Sequence, residues 1–207
     1  MQYNEEWFEV AWSDQRRIPR VSKFLRRDFG VAADIVEARW PLWTATEKGE
    51  FAAAFSQRPR LNENDTQVLD FLMENGGPPI WRTIALIVVR HPDRTRALNF
   101  LLARVAEGMK PAANFYQALG MLLAPECVPI LHVALLKHRK EIEANPLIKA
   151  WSDRFLYLDY LSCSATLFLV TRQRVYRDNL RRMVRHRDQT VRRLARMVTA
   201  TSGVAAG

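Results

Sequence analysis

The stretch LRRMVRHRDQTVRRLARMV, residues 180–198, contains two amphipathic helical patterns joined by a short polar turn over 186–189. The apolar positions of the first pattern are spaced i, i+4, i+7, i+8, and they are Tyr176, Leu180, Met183 and Val184. Those of the second are spaced i, i+3, i+4, i+7, and they are Val191, Leu194, Ala195 and Val198. Such spacing places the apolar side chains on one face of each helix. The stretch therefore predicts an antiparallel pair of helices, each with one buried face.

Helix start and stop signals continue upstream. Thr44-Ala-Thr-Glu47 fits a capping box, and Asn64-Asp-Thr-Gln67 predicts a second helix start. Asn75-Gly-Gly-Pro-Pro79 predicts a stop followed by a new helix, because proline suits a first helical turn. The apolar run 83–89 fits a buried strand or a buried helix, and its helical surroundings favour the helix. The segment 155–170 is apolar nearly all round, so it is expected to be the most buried helix.

The stretch 180–198 resembles a HEAT repeat. In that pattern an apolar helix is followed by an Asp near the turn, then by Val-Arg and a small residue, and the matching positions here are Asp188, Val191, Arg192 and Ala195. A shift of 33 residues aligns two upstream helices as a weaker repeat, matching Pro92 with Pro125 and Leu98 with Leu131. In HEAT proteins the Asp and the Arg commonly bind between neighbouring repeats, which is a structural role.

The resemblance implies an all-α fold of the armadillo type. It implies a right-handed α-α superhelix of antiparallel helix pairs over 61–200. Residues 1–60 lie outside the resemblance, and their Trp and Phe content predicts an N-terminal helical extension that caps the terminal repeat. The residues 201–207 are predicted to be a flexible tail, because they carry little that could order them.

Positive charge is concentrated near the C-terminus. Residues 172–196 contain ten Arg and two acidic residues, a net charge of +8 out of +9 for the chain. The helix-pair pattern predicts one exposed stripe of Arg177, Arg181 and Arg185, and a second stripe of Arg192 and Arg196. Guanidinium groups in stripes suit phosphates or acidic side chains, so these five residues are the candidate binding surface. The competing interpretation is a solvated terminal face.

Motifs for catalysis, metals and cofactors are missing from the sequence. The four His and two Cys have no zinc spacing and are interpreted as surface His and buried thiols. The chain contains neither GxGxxG nor a P-loop, so no catalytic, metal or cofactor site is predicted. The six Trp (7, 12, 40, 43, 81, 151) either line a groove, as in HEAT-like DNA glycosylases, or pack in the core. Core packing is favoured.

These observations favour a non-catalytic scaffold that docks a protein partner, with an acidic partner fitting the Arg-rich repeat. The alternative is a nucleic-acid binder that contacts phosphates through the Arg stripes, and a glycosylase-like enzyme is the weakest of the three. No apolar stretch is long enough to span a bilayer, so no membrane partner is expected. Acidic residues at the start of the chain argue against an export signal and predict a cytoplasmic protein.

Overall fold

The computed structural model describes residues 33–144 and 153–204. Within these residues the structure contains ten α-helices, two 3-10 turns and no β-strand, which confirms the all-α class. The helices are α1 (Ala33–Arg39), α2 (Ala45–Phe55), α3 (Glu63–Asn75), α4 (Gly77–Val88), α5 (Arg94–Ala106), α6 (Ala113–Leu122), α7 (Val128–Ala144), α8 (Arg154–Thr171), α9 (Arg174–Val184) and α10 (Gln189–Thr201). The 3-10 turns are Trp40–Leu42 and Pro125–Cys127.

The chain divides into two compact units, Met1–Ala97 and Leu98–Gly207, so the division falls inside α5. The domain boundary predicted from the sequence lies earlier, between residues 60 and 61. Most of the predicted N-terminal extension, residues 1–32, lies outside the described residues, as do 145–152 and 205–207. The predicted tail starts inside the last turn of α10, and its Val204 side chain is buried.

Side-chain caps determine where two helices of the first unit, α2 and α3, begin. Thr44 and Glu47 form the predicted capping box at the start of α2. The prediction of Asn64 as the cap of α3 is wrong, because Asn62 occupies that position. The Asn62 side chain accepts from the backbone N–H of Asp65, and the Asp65 carboxylate accepts from that of Asn62. The apolar run 83–89 lies in α4 and its C-cap, as expected for a buried helix.

The core of the first unit is rich in aromatic rings. Trp40 packs edge-on against Phe71, with ring centroids 5.6 Å apart. Trp43 packs against Phe51 at 5.2 Å, and both side chains are buried. Helix α4 packs against α2 and α3, and α1 packs against α3. A buried ion pair lies in the same unit, where Arg58 Nη2 is 2.8 Å from Asp65 Oδ2.

Helix α8 is the central helix of the second unit. It packs against α6, α7, α9 and α10. Ten of the eleven residues from Tyr157 to Leu167 are buried. By number of buried residues α8 exceeds the other described helices, but α6 buries a larger fraction, seven of its ten residues, so the expectation that 155–170 is the most buried holds only by number. Tyr157 also forms a small apolar cluster with Val191 of α10, against which Met183 of α9 packs. The C-terminal helix pair is therefore attached to α8 through the apolar faces that the sequence pattern predicts.

Candidate functional site

The α9–α10 pair is built from the two amphipathic patterns of 176–198. Tyr176 and Leu180 of α9 are buried, as are Val191, Ala195 and Val198 of α10. The Asp188 side chain caps α10 by accepting from the backbone N–H groups of Thr190 and Val191, at 2.7 and 3.1 Å. Each helix thus turns one face to the core and leaves its Arg-rich face outward.

The five candidate Arg residues do not share one environment. Arg185 and Arg196 are exposed, but Arg177 and Arg181 are only half-exposed. The three members of the predicted stripe on α9 therefore differ in exposure. For Arg177 the reason is packing against α8, because its guanidinium carbon lies 6.0 Å from the ring centroid of Phe168. Long Arg stems cover apolar surface in this way while the charged group keeps access to water.

Arg192 has a structural role within the pair. Its Nη1 donates to the carbonyl oxygens of His186 and Arg187, at 2.7 and 2.8 Å, and it is half-exposed. The guanidinium therefore ties α10 to the turn that precedes it. Both Arg192 and Asp188 make these contacts inside one helix pair, whereas the HEAT resemblance implies contacts between neighbouring repeats.

The exposed positive charge extends beyond the five predicted residues. Seven Arg side chains between 172 and 196 are exposed, namely Arg172, Arg174, Arg182, Arg185, Arg187, Arg193 and Arg196. We call these seven residues the Arg surface. Of the two acidic residues in this segment, Asp188 caps α10 and Asp178 lies 3.8 Å from Arg181. The Arg surface therefore carries a concentrated positive charge that its own segment leaves largely uncompensated.

The tryptophans of the described residues serve packing. Trp40 and Trp43 lie in the core of the first unit, and the indole N–H of Trp81 donates to the carbonyl of Leu72 at 3.1 Å. Trp7, Trp12 and Trp151 lie outside the described residues. Packing thus accounts for the described members of the set, and they form no aromatic groove that supports a glycosylase-like site.

The histidines depart from the surface interpretation. Cys127 and Cys163 are buried free thiols, as expected, but His91 and His138 are buried as well. His91 Nε2 lies 3.0 Å from Asp70 Oδ1, and His91 is therefore held by a carboxylate. Within 33–144 and 153–204 no three His, Cys, Asp or Glu side chains are grouped to hold a metal ion.

A polar cluster around His138 was missed by the sequence reasoning. The Tyr116 hydroxyl of α6 lies 2.8 Å from His138 Nε2 of α7, and both side chains are buried. Lys110 Nζ lies 2.7 Å from Glu141 Oε2, and His138 Nδ1 lies 4.0 Å from the same oxygen. Burial lowers the pKa of His138 from 6.5 to about 4, although the Glu141 carboxylate opposes that change. Burial also raises the pKa of the Tyr116 hydroxyl. Both groups are therefore neutral at pH 7.

A second missed feature lies on one face of α8. Asp159, Cys163 and Thr166 are spaced i, i+4, i+7, and each bonds a backbone group of a neighbouring segment. Asp159 Oδ1 accepts from the N–H groups of Ala112 and Ala113, and Thr166 donates to the Tyr116 carbonyl at 2.6 Å. Burial raises the pKa of Asp159 from 3.8 to about 6, although the two N–H donors oppose that rise. This face fixes α6, and so positions Tyr116.

No family model, curated protein or solved structure matches this chain. The resemblance of 180–198 to a HEAT repeat therefore stays a prediction that rests on the residues themselves. Within the described residues, no helix combines the length and apolarity that crossing a bilayer requires.

Proposed function

We propose that this protein is a non-catalytic interaction module that docks an acidic surface of a protein partner on the α9–α10 pair. The observation that carries the proposal is the Arg surface. Four of its residues, Arg174, Arg182, Arg193 and Arg196, lie on two helices whose opposite faces are buried, so their backbone is already ordered before a partner binds. A concentrated charge of one sign accelerates encounter with a partner of the opposite sign and selects against others.

Two exposed apolar residues among the Arg side chains favour a protein partner over a nucleic acid. Val175 is 55% exposed and Met197 is 46% exposed. A protein interface can bury such side chains, whereas a phosphate backbone offers them no apolar contact. Tyr176 is the one Phe, Tyr or Trp residue of segment 172–204, and its side chain is buried, so this segment presents no exposed Phe, Tyr or Trp ring for base stacking.

The finer architecture belongs to the same proposal. We propose that the α9–α10 pair is a HEAT-like repeat and that the protein uses the right-handed superhelical arrangement that this resemblance implies. The Asp, Val-Arg and Ala positions of 188–195 support it. An experimental structure that showed no superhelical stacking of pairs would reject this part alone.

The test compares anionic probes in fluorescence anisotropy across a salt series. The probes are a labelled Glu/Asp-rich peptide, duplex DNA, single-stranded DNA and RNA. The triple variant Arg185→Ala/Arg193→Ala/Arg196→Ala removes three exposed charges from the Arg surface. Its matched control, Arg60→Ala/Arg94→Ala/Lys140→Ala, removes three exposed charges elsewhere and leaves the same net charge.

We expect the acidic peptide to bind the parent chain and to lose affinity as salt increases. The Arg-surface variant should bind about tenfold more weakly, while the control should stay within about twofold of the parent. Equal weakening in both variants would show that only net charge matters and would reject the site. Tighter binding of DNA or RNA than of the peptide, with the same variant dependence, would reject a protein partner and establish the nucleic-acid alternative.

A further inference from the structure

A pocket of about 430 Å³ lies in the second unit, between the end of α5, the loop 108–110, α6 and α7. Its wall is apolar and consists of Val105, Ala106, Met109, Pro129, Ile130, Val133 and Ala134. Volumes of this size are typical of pockets that hold small molecules. Neither a Trp nor an acidic residue lines it, so it differs from the pocket that a glycosylase-like enzyme needs.

The polar part of the pocket has one hydrogen-bond donor to spare. Tyr116 and His138 both line the pocket, and both are neutral at pH 7, so together they carry two polar hydrogens. The 2.8 Å hydrogen bond between them uses one of these hydrogens. If Tyr116 donates, the remaining hydrogen is on His138 Nδ1, which has almost no accessible surface and lies 4.0 Å from Glu141 Oε2, so a ligand in the pocket does not reach it. If His138 donates, the remaining hydrogen is on the Tyr116 hydroxyl. In this second arrangement the hydroxyl of Tyr116, which lines the pocket, is a buried donor without an acceptor. Leaving it unpaired lowers stability, so a ligand oxygen that accepts from it would stabilise the pair.

The charges around the pocket favour an anion. Lys110 and Lys137 both line it, and Lys110 Nζ is paired with Glu141 at 2.7 Å. Lys137 is exposed, and its ammonium group reaches over the loop, since a Cβ built on Gly108 would lie 3.6 Å from Lys137 Nζ. The two ammonium groups and one carboxylate leave one positive charge in excess, which matches a single negative charge on a ligand.

We propose that this pocket binds a small monocarboxylate with an apolar body. The carboxylate accepts a hydrogen bond from the Tyr116 hydroxyl, to which His138 Nε2 donates in turn, and it balances the charge of Lys137. The apolar body covers the wall formed by α5 and α7, where Val133 is otherwise 68% exposed. This ligand site is separate from the Arg surface and goes beyond the docking function proposed above.

Isothermal titration calorimetry of the full chain with octanoate tests the proposal, and 1-octanol tests the need for the charged group. Val133→Asp places a negative charge on the pocket wall. Leu136→Asp is its matched control, since Leu136 is a 45% exposed residue of the same helix that does not line the pocket. Both sites are open to solvent, so both variants are expected to fold, and thermal unfolding checks this.

We expect octanoate to bind the parent chain more tightly than 1-octanol does. Val133→Asp should weaken octanoate binding by about tenfold or more, and Leu136→Asp by less than about twofold. Lys137→Met should weaken octanoate but not 1-octanol, whereas Lys140→Met, at an exposed position outside the pocket, should change neither. Absence of octanoate binding at millimolar concentration, or equal losses in Val133→Asp and Leu136→Asp, would overturn the assignment. Equal affinity for octanoate and 1-octanol would overturn the role of the carboxylate.

Discussion

The Asp159 carboxylate of α8 accepts a hydrogen bond from the backbone N–H of Ala113 at 2.7 Å, across a separation of 46 residues along the chain. The same oxygen accepts from Ala112, at 2.8 Å. Ala112 is the N-cap of α6 and has no side-chain oxygen to cap its own helix. A residue of the central helix therefore supplies the cap that the local sequence lacks.

Replacing Asp159 with Ala should lower the free energy of unfolding by about 2–4 kcal/mol. The substitution leaves two backbone N–H groups at the start of α6 without their acceptor, in addition to the lost cap. Urea unfolding measures the loss. Asp178→Ala removes an exposed acidic residue of α9 as a control and should change stability by no more than about 0.5 kcal/mol. Similar losses in both variants would show that the cap contributes little.

His138 should make the protein less stable in mild acid. Its pKa is about 4 in the folded chain, below the ordinary histidine value of 6.5, so the unfolded chain takes up a proton first as pH falls. The stability that His138 contributes is present above pH 6.5 and is lost toward pH 4. We expect the parent to lose about 1–2 kcal/mol from this group between pH 7 and pH 5, and His138→Gln to lack that loss. A destabilisation by His138→Gln that is the same at both pH values would contradict this.

Protonation of Asp159 should increase the free energy of unfolding over the pH range in which protonation of His138 decreases it. Its pKa is about 6 in the folded chain, above the ordinary aspartate value of 3.8, so the folded chain takes up the proton first. The contribution of this group to stability therefore rises as pH falls from 6 toward 4. Asp159→Asn should lack this rise, so its stability deficit relative to the parent should grow by about 1 kcal/mol from pH 7 to pH 5. Urea unfolding at the two pH values measures the difference, and a deficit that shrinks would reject the assignment.

Arg58 should be among the most sensitive positions of the first unit. Its side chain is 2% exposed, and its guanidinium lies 2.8 Å from the carboxylate of the fully buried Asp65. Arg58→Ala leaves that carboxylate buried without its cation, which should cost about 3–5 kcal/mol in the free energy of unfolding. Arg60→Ala, two residues away and exposed, should cost no more than about 0.5 kcal/mol. Equal urea midpoints for the two variants would argue against a structural role for the pair.

Replacing two helical glycines with alanine should change the free energy of unfolding in opposite directions. A Cβ on Gly120 would lie 3.0 Å from Thr166 Oγ1 and 3.4 Å from Leu169 Cδ1, so Gly120→Ala should push α6 from α8 and cost about 1–3 kcal/mol. A Cβ on Gly49 of α2 would meet nothing within 4 Å, so Gly49→Ala should stabilise by about 0.5–1 kcal/mol. Thermal unfolding of both variants checks this, and destabilisation by Gly49→Ala would refute the packing argument.

Local signals in the sequence account for most of the secondary structure. The Thr44–Glu47 capping box, the restart at Pro78 and the amphipathic pair 176–198 are each satisfied within a few residues along the chain. The cap of α3 shows that such signals locate a helix start only to within about two residues. Asn62 and Asn64 both suit a cap, and the reciprocal bond with Asp65 selects Asn62.

The candidate sites were predicted less completely, because exposure and pKa depend on residues distant in sequence. Helical spacing places Arg177 and Arg181 on the outward stripe, but the ring of Phe168 partly covers Arg177. His138 lies among charged residues in the sequence of α7, so the sequence pattern does not indicate that its side chain is buried. Its partner Tyr116 is 22 residues away and on another helix.

The sequence by itself determined the all-α class, the helix boundaries set by caps and prolines, and the concentration of Arg between 172 and 196. These features depend on composition and on contacts a few residues apart. The tertiary structure alone decided that Asp159 caps α6, that Arg58 is paired with Asp65 in a core, and that Tyr116 and His138 meet beside an apolar pocket. Burial and long-range hydrogen bonds arise only when helices pack, so periodicity along the chain does not contain them.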